Sequence, residues 1–120
     1  MLGAKAWGCT VYTLAPGDAT RYHWHAGEEE WLLVLEGAPI LRTPDGERAL
    51  KPWDLALFQR GEAGAHQLRN DTGAPVRAAF FSSASDPEVV GYPDEGRIGV
   101  IAGWSRPEAT VVRGWVQPPE

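Results

Sequence analysis

The stretch RYHWHAGEEEWLLVLEG, residues 21–37, decides how this chain is read. It places two of the three histidines, His23 and His25, one residue apart and just ahead of three consecutive glutamates. Side chains along an extended strand alternate between faces with period two. His23 and His25 therefore share a face with Arg21, while Tyr22 and Trp24 take the other. In the apolar run that follows, Glu30, Leu32 and Val34 share one face and Trp31, Leu33 and Leu35 the opposite one. The turn AGEE lets the chain reverse between the two segments, so Glu30 can come alongside the imidazoles.

An imidazole pair on one face can clamp a single divalent ion. The third histidine, His66 in GEAGAHQLRN, could add a ligand from a strand distant in sequence. A His-x-His pair alone says little, because most histidines are surface groups or hydrogen-bonded core residues. Glu28 and Glu29 read as a solvated turn. The combination weighs more: all three histidines fall where one interior could collect them, and none is spent elsewhere.

Working outward, 120 residues make one domain with a self-sufficient core, and 43% hydrophobic residues describe a folded chain. The formal charge is −5, with no run of Lys or Arg, which argues against a nucleic-acid partner or an anionic membrane surface. Cys9 is the only cysteine, so neither an intrachain disulfide nor a thiolate cluster is available, and it reads as a small strand residue. No apolar run reaches membrane-spanning length and the first residues lack the pattern of a signal peptide. The expectation is a cytoplasmic protein.

Fourteen Gly and ten Pro interrupt short runs rich in Val, Leu, Phe, Trp and Thr, the signature of an all-β sandwich or barrel. Strands are expected at residues 6–14, 20–25, 30–36, 40–43, 47–50, 54–59, 65–70 and 76–83. Asp45-Gly46 reads as a two-residue hairpin loop, since Gly accepts the positive φ of a primed turn. Residues 1–85 form the expected barrel core, and 86–120 an extension packed on the barrel or at a dimer interface. The run WLLVL is apolar on both faces, so Trp31, Leu33 and Leu35 need a cover. A second subunit or the tail, with Trp104 and Trp115, could supply it.

Gly17, His23, His25, Glu30 and Gly37, followed by His66 and Asn70, resemble the two motifs of the cupin superfamily, and in particular its small single-domain bacterial branch. The resemblance covers residues 6–84. It departs in the second motif, where Trp53-Asp54 stands for the usual Gly-Asp and the loop QRGEAGAH is longer, with Gly61 and Gly64 available to turn it. The likeness implies an antiparallel jelly-roll β-barrel with His23, His25, Glu30 and His66 as ligands. They would hold one divalent transition metal per chain (Zn, Mn, Fe, Ni or Co), because imidazole and carboxylate suit all of these. It also implies coordination positions left open for water or substrate, and a homodimer.

The function expected is that of a metalloenzyme acting on a small oxygen-rich organic molecule, by dioxygenase, isomerase or decarboxylase chemistry. The alternative is a non-catalytic, metal-dependent binding or sensing module for a small molecule. Arg21, Phe58 and Gln59 are the candidate pocket residues beyond the ligands.

Overall fold

A computed structural model describes residues 4–103 and 112–116. The architecture is all-β. Its strands are β1 (Trp7–Leu14), β2 (Trp24–His25), β3 (Glu30–Glu36), β4 (Ile40–Thr43), β5 (Gly46–Ala49) and β6 (Leu55–Phe58), then β7 (Gln67–Arg69), β8 (Val76–Ser83), β9 (Glu88–Tyr92), β10 (Arg97–Ala102) and β11 (Val112–Val116). They form three antiparallel sheets, ordered β1-β8-β3-β6, β11-β10-β9-β2 and β5-β4-β7. The arrangement is consistent with a cupin jelly roll, although the described strands are not hydrogen-bonded into one closed barrel. Among the described residues no helix is long and apolar enough to cross a membrane.

Strand β3 shows why the sheets stack as they do. Its Glu30, Leu32 and Val34 are buried, while Trp31 and Glu36 are exposed and Leu33 and Leu35 half-buried. Register fixes their neighbours: Leu32 lies opposite Ala56 and Phe80, Val34 opposite Ala78, and Glu30 opposite Phe58 and Ser82. With Leu14, Leu41, Leu50, Leu68 and Val76 these inward residues make one core. Burying a side chain of this size contributes roughly 1.5–3 kcal/mol. Glu30 is the one charge on that inner face of β3, so the site begins where the core ends.

Two local expectations need correction. The hairpin between β4 and β5 pairs Thr43 with Gly46, so its two loop residues are Pro44 and Asp45, and Gly46 (φ 120°) opens β5. Proline accounts for the shift: its φ is preset for the first turn position and it has no N–H for the ladder. The expected strand at 20–25 shrinks to Trp24–His25. Upstream, the chain meets the β7 segment through bridges Ala19↔Arg69 and His23↔His66, with Thr20 N donating to Leu68 O between them. Four residues separate the first members and three the second, so one residue bulges out between them.

The turning role expected of Gly61 and Gly64 is visible. Gly61 has φ 83°, and a side chain on Gly64 would run into the carbonyl oxygen of Gln59. Between them, Glu62–Gly64 forms one 3-10 turn that delivers the chain to His66. Trp53 occupies φ 72°, where the resemblance would place a glycine. A non-glycine residue there costs about 1–3 kcal/mol.

The outer face of the β1-β8-β3-β6 sheet carries Trp7, Val11, Trp31, Leu55 and Leu57, all exposed. Trp7 and Trp31 meet edge to face with centroids 5.9 Å apart. Trp115 does not cover this face: it packs against Tyr92, centroids 5.5 Å apart, beneath the guanidinium of Arg97. Trp104 lies outside the described residues.

Candidate metal centre

The three histidines meet. Backbone bonds in both directions join His23 and His66, His23 N to His66 O at 3.1 Å and His66 N to His23 O at 2.9 Å. Their ring centroids are 4.7 Å apart, and those of His23 and His25 are 4.9 Å apart. Glu30 enters from β3. Its Oε1 lies 2.8 Å from His66 Nε2 and its Oε2 3.2 Å from His25 Nε2. Potential ligand atoms of His23, His25 and Glu30 all lie within 4.8 Å of one another; His66, the fourth expected ligand, falls outside that set and joins it through Glu30.

The other ring nitrogens explain this orientation. His23 Nδ1 lies 2.8 Å from the Arg21 carbonyl, and His66 Nδ1 2.8 Å from the Gly64 carbonyl. A carbonyl only accepts, so in each ring Nδ1 carries a proton and Nε2 is the nitrogen left for the site; in His66 that Nε2 donates to Glu30 Oε1. His25 Nδ1 lies 3.2 Å from the Glu88 carboxylate, which likewise only accepts when ionised. His25 and His66 thus present Nε2 to one buried carboxylate, His23 lies beside both, and each ring is steered through Nδ1 by an outer partner, as metal-binding histidines are. His66 is held further by Phe58, stacked at 3.7 Å and 12°.

Two observations test whether this set fits a metal. His25 Nε2 is buried and lacks a well-directed hydrogen bond, although Glu30 Oε2 is near. A buried polar atom left this way is expensive, and a coordinated ion would satisfy it. Second, ligand atoms at right angles on bonds of about 2.1 Å stand about 3 Å apart. The nitrogen–oxygen separations of 2.8 and 3.2 Å match that edge. The residues fit.

Electrostatics divide the rings. Burial, helped by the charge of His66, lowers His23 to about 4. Burial also pulls His25 down, but the carboxylates of Glu30 and Glu88 flanking it prevail and raise it to about 9. Burial alone would raise Glu30, but the adjacent His25 and His66 imidazoles outweigh it and hold the carboxyl at about 2. Metal binding would then displace a proton from His25.

The centre lies in the wall of a cavity of about 540 Å³. Apolar lining comes from Tyr12, Leu14, Phe80, Val90, Tyr92 and Ile101, with hydroxyls from Thr10, Thr20 and Ser82. Arg21 lines the same cavity, half-exposed at 58%, with its guanidinium 5.4 Å from the Tyr92 centroid. Tyr22 and Trp24 line a different groove, on the opposite side of the segment. Phe58 sits behind His66 rather than in the cavity wall, and Gln59 is exposed and not among the lining residues.

The structure also brings in residues that sequence reasoning passed over. Glu28 is not a solvated turn residue: its side chain is 11% exposed, lines the cavity and lies 3.8 Å from His25 Nδ1. Burial, reinforced by the charge of Glu88, raises its carboxyl above the ordinary range. Glu88, Val90 and Tyr92 come from β9, in the tail. Their period-two spacing in EVVGY was available as a signal, but nothing in it pointed to the histidines.

Comparisons with known proteins follow this geometry. Residues 10–82 match the family model Cupin_2, described as a cupin domain. The tetracenomycin polyketide synthase protein TcmJ of Streptomyces glaucescens is 33% identical over 75 residues, a match covering 62% of this chain and 48% of that protein. The chain therefore spans about half the length of this curated relative. A crystal structure of a cupin-superfamily sugar phosphate isomerase from Silicibacter pomeroyi superposes with TM-score 0.84 at 25% identity, covering 96% of this chain and 69% of that one. The polyketide cyclase RemF of Streptomyces resistomycificus gives TM-score 0.62 at 26% identity, covering 69% of this chain and 58% of that one. With the family model spanning more than half of its residues, the chain belongs to the cupin family.

Proposed function

We propose that this cupin holds one divalent transition metal through His23, His25, Glu30 and His66, and acts on a small oxygen-rich carbonyl compound by isomerase or cyclase chemistry. The observation that carries the reading is the cluster of His23, His25 and Glu30 in the cavity wall, with His66 Nε2 on the same buried carboxylate and each ring steered by an outer partner. A bound divalent ion would supply a Lewis acid that polarises a carbonyl or enediol oxygen. The chain's own groups do the rest. Arg21 offers a cation to an anionic end of the substrate, and the faces of Tyr12, Phe80 and Tyr92 pack against its carbon skeleton. Those apolar walls also exclude water, which strengthens every charge interaction inside. Two similar proteins are named a sugar phosphate isomerase and a polyketide cyclase, and these names support the class of substrate.

The test is elemental analysis of protein purified without chelators, with a His66→Ala control. About one transition metal per chain is expected, largely lost in the variant, because a shell missing one of four ligands is open. A variant that keeps its metal removes His66 from the ligand set. Metal-loaded protein should then consume members of a panel of anionic carbonyl compounds; saturable binding without consumption favours a binding module.

A second copy of the chain is the proposed cover for the outer face of the β1-β8-β3-β6 sheet. Trp7, Val11, Trp31, Leu55 and Leu57 lie there at 40–63% exposure, beside β1, an edge strand whose backbone groups can pair with another chain. Light scattering at micromolar concentration should report a dimer, and a monomer would overturn it.

A further inference from the structure

We propose that Glu88, in the C-terminal sheet, is a positioning residue for the metal centre, acting through His25; this rests on the metal reading above. Strand β9 pairs with β2, setting Gly91 opposite Trp24 and Val90 opposite His25, and Ala26 N donates to Val89 O at 2.8 Å. In an antiparallel pair a residue also neighbours the one two places along from its direct partner, on the same face. For His25 that diagonal neighbour is Glu88. Its Oε1 lies 3.2 Å from His25 Nδ1.

Glu88 is only 4% exposed, and its Oε2 has no hydrogen-bond partner among the described residues. Burying a carboxylate is unfavourable unless something needs it, and the charge-assisted contact to His25 is what Glu88 is placed to make. The other two rings are steered differently. His23 and His66 donate to backbone carbonyls two residues before them, so their orientation is local. His25 alone takes its outer partner from 63 residues away, beyond the residues 10–82 that match the family model. A carboxylate holding Nδ1–H fixes ring rotation, turns Nε2 towards Glu30, and makes that nitrogen a stronger donor to a cation. Glu28 is the competing partner, but at 3.8 Å it stands further off, and its Oε2 accepts from Ser85 N at 3.1 Å.

The test uses the full chain and Co²⁺ as the probe. Glu88→Gln keeps the shape and removes the charge, Glu88→Ala removes both, and Glu29→Gln is an exposed control. Calorimetry should show Co²⁺ binding weakened about 10–100-fold in both Glu88 variants, with partial recovery in Glu88→Asp and none of the loss in the control. Proton spectra supply a second readout. The wild type should show a slowly exchanging His25 ring N–H downfield, both metal-free and shifted by bound Co²⁺, and Glu88→Ala should lose it. If Glu88→Ala does not fold, the isosteric Glu88→Gln carries the comparison. Unchanged affinity and an unchanged ring N–H in Glu88→Gln would overturn the proposal, as would a loss confined to Glu28→Gln. A wild type that takes up no Co²⁺ would sink the metal reading, while the metal-free ring N–H would still decide whether Glu88 holds His25.

Discussion

The histidine-bearing segments and the C-terminal sheet meet at the same centre by different means. Around His66 the structure is dense: Gly64, Ala65, His66, Leu68 and Asn70 are all buried. Asn70 alone ties Leu14 O and Ala74 O to the Thr72 hydroxyl and amide. The C-terminal sheet buries little besides Glu88, Val90, Gly91 and Gly99, and joins the site through the two residue pairs of the β2–β9 seam. One side of the centre is therefore set by close packing and the other by a short ladder and a charge contact. A chain can hold a ligand rigidly where its neighbours leave no room, and tune it where they do.

Matched glycine substitutions give the largest effect with which to break this contrast. In Gly64→Ala the new methyl group meets the Gln59 carbonyl, and the loop must move as a whole; a loss of about 4 kcal/mol is expected. In Gly99→Ala the methyl group would sit 3.4–3.7 Å from the rings of Trp115 and Tyr92, an ordinary contact, and the change should stay within about 0.5 kcal/mol. Denaturant melts of both variants measure the difference. Equal losses would mean that the two regions are equally tight.

A pH series on chelator-treated protein sharpens the comparison with a somewhat smaller effect. His23, lowered from 6.5 to about 4, is buried neutral, so its contribution is present above pH 6.5 and lost as pH falls through the window to 4. His25, raised from 6.5 to about 9, contributes below pH 6.5 and loses that contribution as pH rises to 9. Stability should peak near pH 6.5 and fall by about 3 kcal/mol on each limb, at 1.36 kcal/mol per unit. Glu30, lowered to about 2, adds a further loss only between pH 4.5 and 2. Glu88→Gln gives the smallest effect. It should flatten the alkaline limb by about 1 kcal/mol and leave the acid limb alone, because Glu88 is one of the charges that raise His25. A flat profile between pH 5 and 9 would contradict the arrangement of charges.

How much of this was legible in the sequence differs from strand to strand. The bounds of β3, β4 and β8 were readable because short apolar runs end there at turn residues, Gly37 after β3, Pro39 and Pro44 around β4, and Pro75 before β8. The segment before His25 was not, because a bulge breaks the period without leaving a Gly or Pro as a marker. The β4–β5 loop was misplaced by one residue because Asp-Gly was weighed above the adjacent Pro44. In the site, His23, His25, Glu30 and His66 stood out because their side chains have few other reasons to be spaced as they are. Glu28 hid in a run of like charges that is usually solvent-facing. Glu88 could not be found at all, since its partner lies across a ladder that no local pattern encodes.

The stacking of Phe58 on His66 has a consequence for observing the centre. An aromatic face lying parallel at 3.7 Å places the carbon-bound protons of the imidazole in its shielding region. The signals of His66 should thereby lie upfield of those of His23 and His25, whose rings have no stacked neighbour that close among the described residues. One of the three rings should thus announce itself in an unlabelled spectrum, and arrival of an ion could be watched there.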